Sequence, residues 1–261
     1  MSRPAGHDRL RRGGCRAACL AIGLTLGQPA ASAAPVPGAA PAEAGAAFRI
    51  PDSRFESPTP PATTASASAQ ALQRAGASPD TRQVALWVIG SDDARGLPFV
   101  IVDKIGATVF AFSAAGMLIG HAPALLGRAH GDISPPGIGT RKLADIAAQD
   151  RITPSGRFVA GLGPDLGTTD VLWVDYDAAI SLHRVFTGNV AEHRLARLAT
   201  PSPDDNRISY GCINVPVAFY DAIIHPLFVG TQGIVYVLPD TRALTAVFPA
   251  SVGAAGGGDA G

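Results

Sequence analysis

Phe99-Val100-Ile101-Val102-Asp103, a turn at Lys104, then Thr108-Val109-Phe110-Ala111-Phe112 and a second turn at Ala115-Gly116 form the stretch on which the fold reading turns. Short runs of β-branched and aromatic side chains, closed by turn-forming residues, read as strands. Met117-Leu118-Ile119 resumes after the second turn. Working outward, Val84-Ala85-Leu86-Trp87-Val88-Ile89 ends at Gly90. Val171-Leu172-Trp173-Val174, Ile180-Ser181-Leu182-His183-Arg184-Val185 and Ile234-Val235-Tyr236-Val237-Leu238 repeat the pattern downstream. The prediction is a mainly β domain, a sandwich or barrel, with one or two short helices. Helical candidates are Leu143 to Gln149, Ala191 to Leu198 and, most clearly, Val215 to about Ile224. The last has Pro216 in its first turn and Phe219, Ile223 and Ile224 on one face. His225-Pro226 is expected to end it, because the residue before proline disfavours α geometry.

The flanks differ from this core. Arg3, Arg9, Arg11, Arg12 and Arg16 precede a short apolar run, Ala17 to Leu26, and Ala31-Ser32-Ala33 supplies an A-x-A pattern. The run is about half of the roughly 20 residues that span a bilayer. Residues 1–33 therefore read as a signal peptide cleaved near Ala33 or Ala34, leaving no transmembrane span in the mature chain. Residues 34–80 are rich in Ala, Pro, Ser and Thr and read as a flexible spacer, with room for a short helix from about Ala67 to Arg74. Residues 81–240 form the catalytic-domain candidate, of ordinary domain size. Residues 241–261, ending in Gly256-Gly257-Gly258, read as a loose tail. The 21 Lys and Arg balance the 21 Asp and Glu, which leaves no basic footprint for nucleic acid.

Removing the leader removes Cys15 and Cys19, so the mature chain keeps one thiol, Cys212. A lone thiol in an oxidising compartment is a liability unless it is buried or used. Its setting, Ser209-Tyr210-Gly211-Cys212-Ile213-Asn214-Val215-Pro216, places it just ahead of the expected helix, with Asn214 as N-cap. A helix N-terminus there would lower the thiol pKa and offer amides to an oxyanion. Gly211 leaves the backbone free to turn sharply. A cysteine nucleophile needs a base. The mature histidines are His121, His130, His183, His193 and His225; spacing alone does not choose among them. His183 ends a strand-like run, where a ring is held firmly, and is favoured ahead of His193. There is no HExxH, no CxxC, no phosphate-cradling loop and no G-x-S-x-G elbow, so metal and serine-elbow chemistry find no support.

These residues carry a resemblance. Ser209-Tyr210-Gly211-Cys212-Ile213-Asn214 resembles the S-H-G-C-x-R/N signature of the L,D-transpeptidase (YkuD-type) catalytic domain. Thr153-Pro154-Ser155-Gly156-Arg157-Phe158 resembles that family's T-P-x-G-x-F segment, and Ile180-Ser181-Leu182-His183 its strand ending in the base histidine. Val102-Asp103-Lys104, the following strand and Gly116 resemble its opening hairpin. The likeness covers roughly residues 84–238. It implies a mostly β sandwich-like fold, Cys212 as nucleophile, His183 as general base, and Ser209 and Gly211 in the catalytic loop. Tyr210, Asn214 and Arg207 are expected to bind substrate. It further implies peptidoglycan stem peptides as substrate, an acyl-thioester passed to an acceptor amine, no cofactor, and a periplasmic or cell-envelope location.

The sequence departs from the pattern at two places. Tyr210 stands where the signature has histidine, and Arg184 follows the base where glycine is usual. Asn189 to Asn206 reads as an insertion with Pro201 and Pro203, a substrate-shaping lid; His193 within it remains a rival base. Two other readings compete. Water could replace the acceptor amine, giving a peptidoglycan amide hydrolase or carboxypeptidase. A catalytically silent wall-binding protein would lack Cys212 or every base candidate, and this chain lacks neither.

Overall fold

The computed structural model describes residues 62–165 and 170–251. The expected signal peptide, most of the spacer and the glycine-rich end lie outside them. Two helices come first, α1 (Ala62–Arg74) and α2 (Pro79–Ser91). The short helix allowed within the spacer is thus present and longer than expected. The strand expected at Val84 to Ile89 is instead part of α2. Ser78 Oγ caps its N-terminus by accepting the Thr81 N–H, Pro79 occupies the first turn, and Val84, Ala85, Val88 and Ile89 share one buried face. A six-residue apolar window fits either period, so the Ser78-Pro79-Asp80 start signal was the deciding clue.

Mainly β architecture follows, as expected. The strands are β1 (Phe99–Asp103), β2 (Thr108–Phe112), β3 (Leu118–Pro123), β4 (Leu126–Gly127), β5 (Gly156–Pro164), β6 (Asp170–Asp175) and β7 (Ile180–Arg184). After helix α3 (Arg194–Ala199) come β8 (Arg207–Ser209) and β9 (Ile213–Val215). A helical stretch follows, made of α4 (Val217–Phe219), a π segment (Tyr220–Ile224) and α5 (His225–Phe228), and then β10 (Gln232–Val237) and α6 (Leu244–Val247). Eight strands make one sheet in the order β3-β2-β1-β10-β5-β6-β7-β9, and β4 pairs with β8. The chain leaving β3 reaches the far edge, where Leu125 and Asn214 exchange both backbone hydrogen bonds at 2.8 and 2.9 Å. The sheet is therefore curled until it nearly closes, and this bridge pairs part of the β9 edge.

Alternation along the strands sorts the side chains. Val100, Val109, Ala160, Leu172, Leu182, Ile213 and Val235 fill the inner core with Tyr220, Ile224 and Phe228 from the helical stretch. Phe99, Ile101, Phe110 and Tyr236 point the other way and are covered by Leu72, Val84 and Val88 of α1 and α2. Among the described residues no helix covers the outer face of β5, β6 and β7 in this way, and that half holds the candidate site.

Two local expectations change. Ile213 to Val215 is a strand, with Ile213 and Val215 fully buried on the core side, so the helix begins only at Val217, behind Pro216. Asn214 is not an N-cap, and among the described residues no helix N-terminus faces Cys212. Nor does His225-Pro226 end the helix. The His225 N–H reaches back to the Tyr220 carbonyl, a π-type bond, and Pro226 takes the first turn of α5, where its missing N–H costs least. The segments expected to be helical at Leu143 to Gln149 are two 3₁₀ turns, Leu143–Asp145 and Ala148–Asp150. The C-terminal segment is anchored as far as Ser251: Phe248 is buried with Tyr236 and Val88. No helix among the described residues is long and apolar enough to cross a membrane.

Candidate active site

Cys212 sits in the bend between β8 and β9. Gly211 before it has φ +131°, and a Cβ there would come within 2.6 Å of Ile180 Cδ1 and 2.7 Å of the Ile152 carbonyl oxygen. Only glycine fits that conformation and that gap. The bend is braced from both sides. Thr153 Oγ donates to the Gly211 carbonyl at 2.7 Å and accepts the Gly127 N–H. Ser209 Oγ donates to the Cys212 carbonyl at 2.6 Å and accepts the Gly211 N–H at 3.1 Å. Thr153 and Ser209 are both buried, so the turn that presents the thiol is fixed by hydroxyls.

β7 brings the second half. Ile180 and Leu182 enter the core, so period two turns Ser181 and His183 to the outer face. Ser181 Oγ lies 3.7 Å from Cys212 Sγ, and the thiol lies 3.7 Å from the Ala179 carbonyl oxygen. The His183 ring has one defined tautomer. Its Nδ1 is 2.7 Å from the Arg184 carbonyl oxygen; a carbonyl only accepts, so Nδ1 carries the proton and Nε2 is the basic end. The departure at Arg184 therefore leaves the base untouched, because its backbone does the holding. Its side chain is drawn off to Asp221 and Asp170 and lies over the Tyr220 ring.

The electrostatics of the pair follow from burial and contact. Burial by itself would raise the Cys212 thiol pKa; the hydrogen bond and charge of His183, and then the Ser181 amide and hydroxyl, outweigh it and hold the thiol below its ordinary value. For His183, burial would favour the neutral ring, yet the contact with Cys212 and the Arg184 carbonyl raise its pKa. The two groups stabilise each other's charged forms, the arrangement an activated thiol requires.

Asn214 connects this pair to the insertion. In register it stands beside His183, and its Nδ2 lies 3.3 Å from His183 Nε2 and 3.3 Å from the Cys212 carbonyl oxygen. Arg194, the first residue of α3, donates from Nη1 to Asn214 Oδ1 at 2.6 Å. That bond fixes which way the amide points, and Glu192 holds the same guanidinium from behind. His193, in contrast, is exposed at the N-terminus of α3. Tyr210 is half-buried, with the Arg151 guanidinium 3.9 Å above its ring. Arg207 is not brought to the thiol. Its guanidinium is 7% exposed and bonds Asp240 Oδ2 at 2.8 Å and the Lys104 carbonyl.

Cys212, His183, Ser209, Gly211 and Asn214 thus converge, and Arg207 stands apart. Sequence reasoning gave no role to Ser181 or Thr153, although both stand in the quoted motifs, nor to Ala179 or Arg194. Ser181 was legible, since it lies two residues before His183 on a strand; Arg194 carried no local signal. A cavity of about 350 Å³ lies between Ile133 to Ile138, Ser155 and the β6–β7 turn at Asp175, Asp177 and Ala178, and neither Cys212 nor His183 lines it. Among the described residues, no cluster of His, Cys, Asp or Glu is placed to hold a metal ion.

No protein-family model matches the chain, and no curated protein matches it. Among solved structures it is similar to the LD transpeptidase LdtMt1 in complex with imipenem, with TM-score 0.29 and 15% identity over 54% of this chain and 58% of that one. It is also similar to an L,D-transpeptidase (Yku) from Stackebrandtia nassauensis, with TM-score 0.33 and 15% identity over 68% of this chain and 78% of that one. The match to the first spans less than two thirds of its length.

Proposed function

We propose that this chain is an exported cysteine L,D-transpeptidase of the cell envelope, acting on peptidoglycan stem peptides through a thioester on Cys212. The observation that carries the reading is the His183 ring: its Nδ1–H is tied to the Arg184 carbonyl and its basic side is turned to a thiol of lowered pKa. The order of the three sequence motifs supports the substrate class. In the proposed reaction the Cys212 thiolate attacks the carbonyl carbon of the scissile amide. The oxyanion falls to the Cys212 N–H, because the Gly211 N–H is held by Ser209. His183 passes its Nε2 proton to the departing amine as the tetrahedral adduct collapses to the thioester. It then takes a proton from the acceptor amine as that amine attacks the thioester and releases the thiolate. Asn214 keeps the ring in plane, and Tyr210, backed by Arg151, lines the approach.

Intact-mass measurement with a carbapenem tests the reading. Opening of the β-lactam by the thiolate should add one carbapenem mass to the wild-type protein, and Cys212→Ser should add none. Wild-type protein that stays unmodified under prolonged incubation would reject the proposal. Mature peptidoglycan fragments then separate an amine acceptor from water: a cross-linked product supports transpeptidation, and a trimmed stem supports the hydrolase reading.

A further inference from the structure

Tyr176 stands in the turn between β6 and β7 and is 66% exposed. Its ring lies on the indole of Trp173, with centroids 5.1 Å apart and 21° between the planes. The pair rests on bare backbone: a Cβ at Gly163 would meet the indole at 2.9 Å and lie 3.8 Å from the Tyr176 hydroxyl. The indole N–H is directed to the Pro164 carbonyl oxygen, 3.3 Å away. Beside Tyr176, Val159, Gly161, Leu162, Gly230, Thr231 and Gln232 line a groove of about 510 Å³. A stacked aromatic pair left at the surface, next to a glycine floor and a polar rim, is a ligand platform and contributes little to folding.

Three observations narrow the ligand. Among the described residues the groove wall carries no charged side chain, which disfavours phosphate, carboxylate and ammonium groups. β5, which floors it, is paired on both sides, with Gly161 opposite Gln232 and opposite Trp173; a peptide cannot add there as a strand. A flat aromatic face with hydroxyl and amide groups at its rim matches a pyranose ring, which has one C–H-rich face and hydroxyls around its edge. We propose that this groove is a saccharide subsite in which Tyr176, backed by Trp173, stacks on a ring of a β-linked N-acetylated amino-sugar chain.

The aromatic pair shares a sheet face with a neighbour of the thiol. Trp173 stands opposite Ser181 in the sheet, so the two side chains share a face at one strand spacing, about 5 Å. Ser181 Oγ is the group 3.7 Å from Cys212 Sγ. The turn that carries Tyr176 also carries Ala179, whose carbonyl faces the thiol. The choice of amino sugar rests on the transpeptidase reading, in which the stem peptide is attached to such a chain. The subsite would hold the glycan while the stem reaches Cys212.

Calorimetric titration of the full chain with a β-1,4-linked N-acetylglucosamine tetramer, which carries no peptide, tests this directly. Saturable binding is expected at millimolar sugar. Tyr176→Ala should weaken it about tenfold, the scale of one lost aromatic stack, and Tyr176→Phe should keep it. The carbapenem adduct on Cys212 should form equally fast in all three proteins. Absence of saturable binding, or equal binding by Tyr176→Ala, overturns the subsite. An adduct without sugar binding removes this inference alone, whereas sugar binding without an adduct removes the transpeptidase reading and leaves the subsite standing.

Discussion

Asn214 and Arg194 show what single residues do here. The His183 ring is oriented by a carbonyl on its Nδ1 side and by an amide on its Nε2 side, and Arg194 orients the amide. Removing a charge-assisted bond of this kind costs about 1.5–3 kcal/mol where it acts. Arg194→Ala should therefore slow carbapenem acylation by roughly tenfold, Arg194→Lys should restore part of the rate, and the melting temperature should move little. Equal rates in all three would remove Arg194 from the site. The thiol gives a second prediction. His183 is the main group opposing the effect of burial on Cys212. In the wild type, alkylation by iodoacetamide should follow a titration midpoint below the ordinary thiol value of 9.0. In His183→Gln the burial remains and the opposing charge is gone, so the midpoint should move up and acylation should fall by about 10²-fold or more. An unmoved midpoint would show that His183 does not set the thiolate population.

At the scale of elements, the insertion carries the helix expected from Ala191 to Leu198, as α3 (Arg194–Ala199). Asn189 to Asn206 is polar and proline-bearing, and reads in sequence as a substrate-shaping lid. The structure contains α3 within it, held at three points. Leu198 is 8% exposed and packs with Leu125 and Val185. Asn206 donates to the Ala124 carbonyl at 3.0 Å. Arg194 reaches Asn214. Leu198→Ala should cost about 2 kcal/mol, the low end for a buried leucine because its cluster is small. It should also slow acylation, because α3 carries Arg194. A denaturant midpoint shift with an unchanged acylation rate would uncouple the two roles.

At the scale of the molecule, a buried charge cluster ties distant segments together behind the site. Lys104 Nζ, fully buried, bonds Asp132 Oδ1 at 2.7 Å, the Gly131 carbonyl at 2.6 Å and the Thr153 carbonyl at 2.9 Å, and lies 3.3 Å from Asp240. Asp132 also accepts the backbone N–H groups of Asp240, Thr241 and Arg242. Burial would raise its pKa, but the Lys104, Thr241 and Asp240 bonds outweigh that and hold it far below the usual carboxylate range. A depressed folded-state pKa contributes stability that is complete above the unfolded value of about 3.9 and is lost as pH falls below it. Melting temperature should therefore be flat from neutrality to about pH 5 and fall steeply below about pH 4. Lys104→Ala leaves Asp132 buried without its cation, while Asp240 keeps Arg207, and should cost about 3–5 kcal/mol. The same Thr153 that offers its carbonyl to Lys104 offers its hydroxyl to Gly211, so the variant should also lose acylation. A stable, fully active Lys104→Ala protein would contradict this.

Which parts of the protein were legible in the sequence follows from the range of the forces involved. The strands at Phe99, Thr108 and Ile180 were readable because alternation and turn residues act within a few positions. Cys212 and His183 were readable because each sits in a short motif, and strand period alone pointed Ser181 the same way as His183. Val84 to Ile89 was misread because six apolar residues satisfy both periods, and Ile213 to Val215 because its pairing partner, β7, lies some thirty residues upstream. The closure of the sheet through Leu125 and Asn214, the reach of Arg194 to that same asparagine, and the removal of Arg207 into the Lys104 cluster have no local signature. Local propensity and pattern determined which segments became strands and which residues stand as candidates for the chemistry. Only the tertiary structure decided which of them meet, because contacts between residues far apart in the chain are selected by packing of the whole core and not by the residues that flank them.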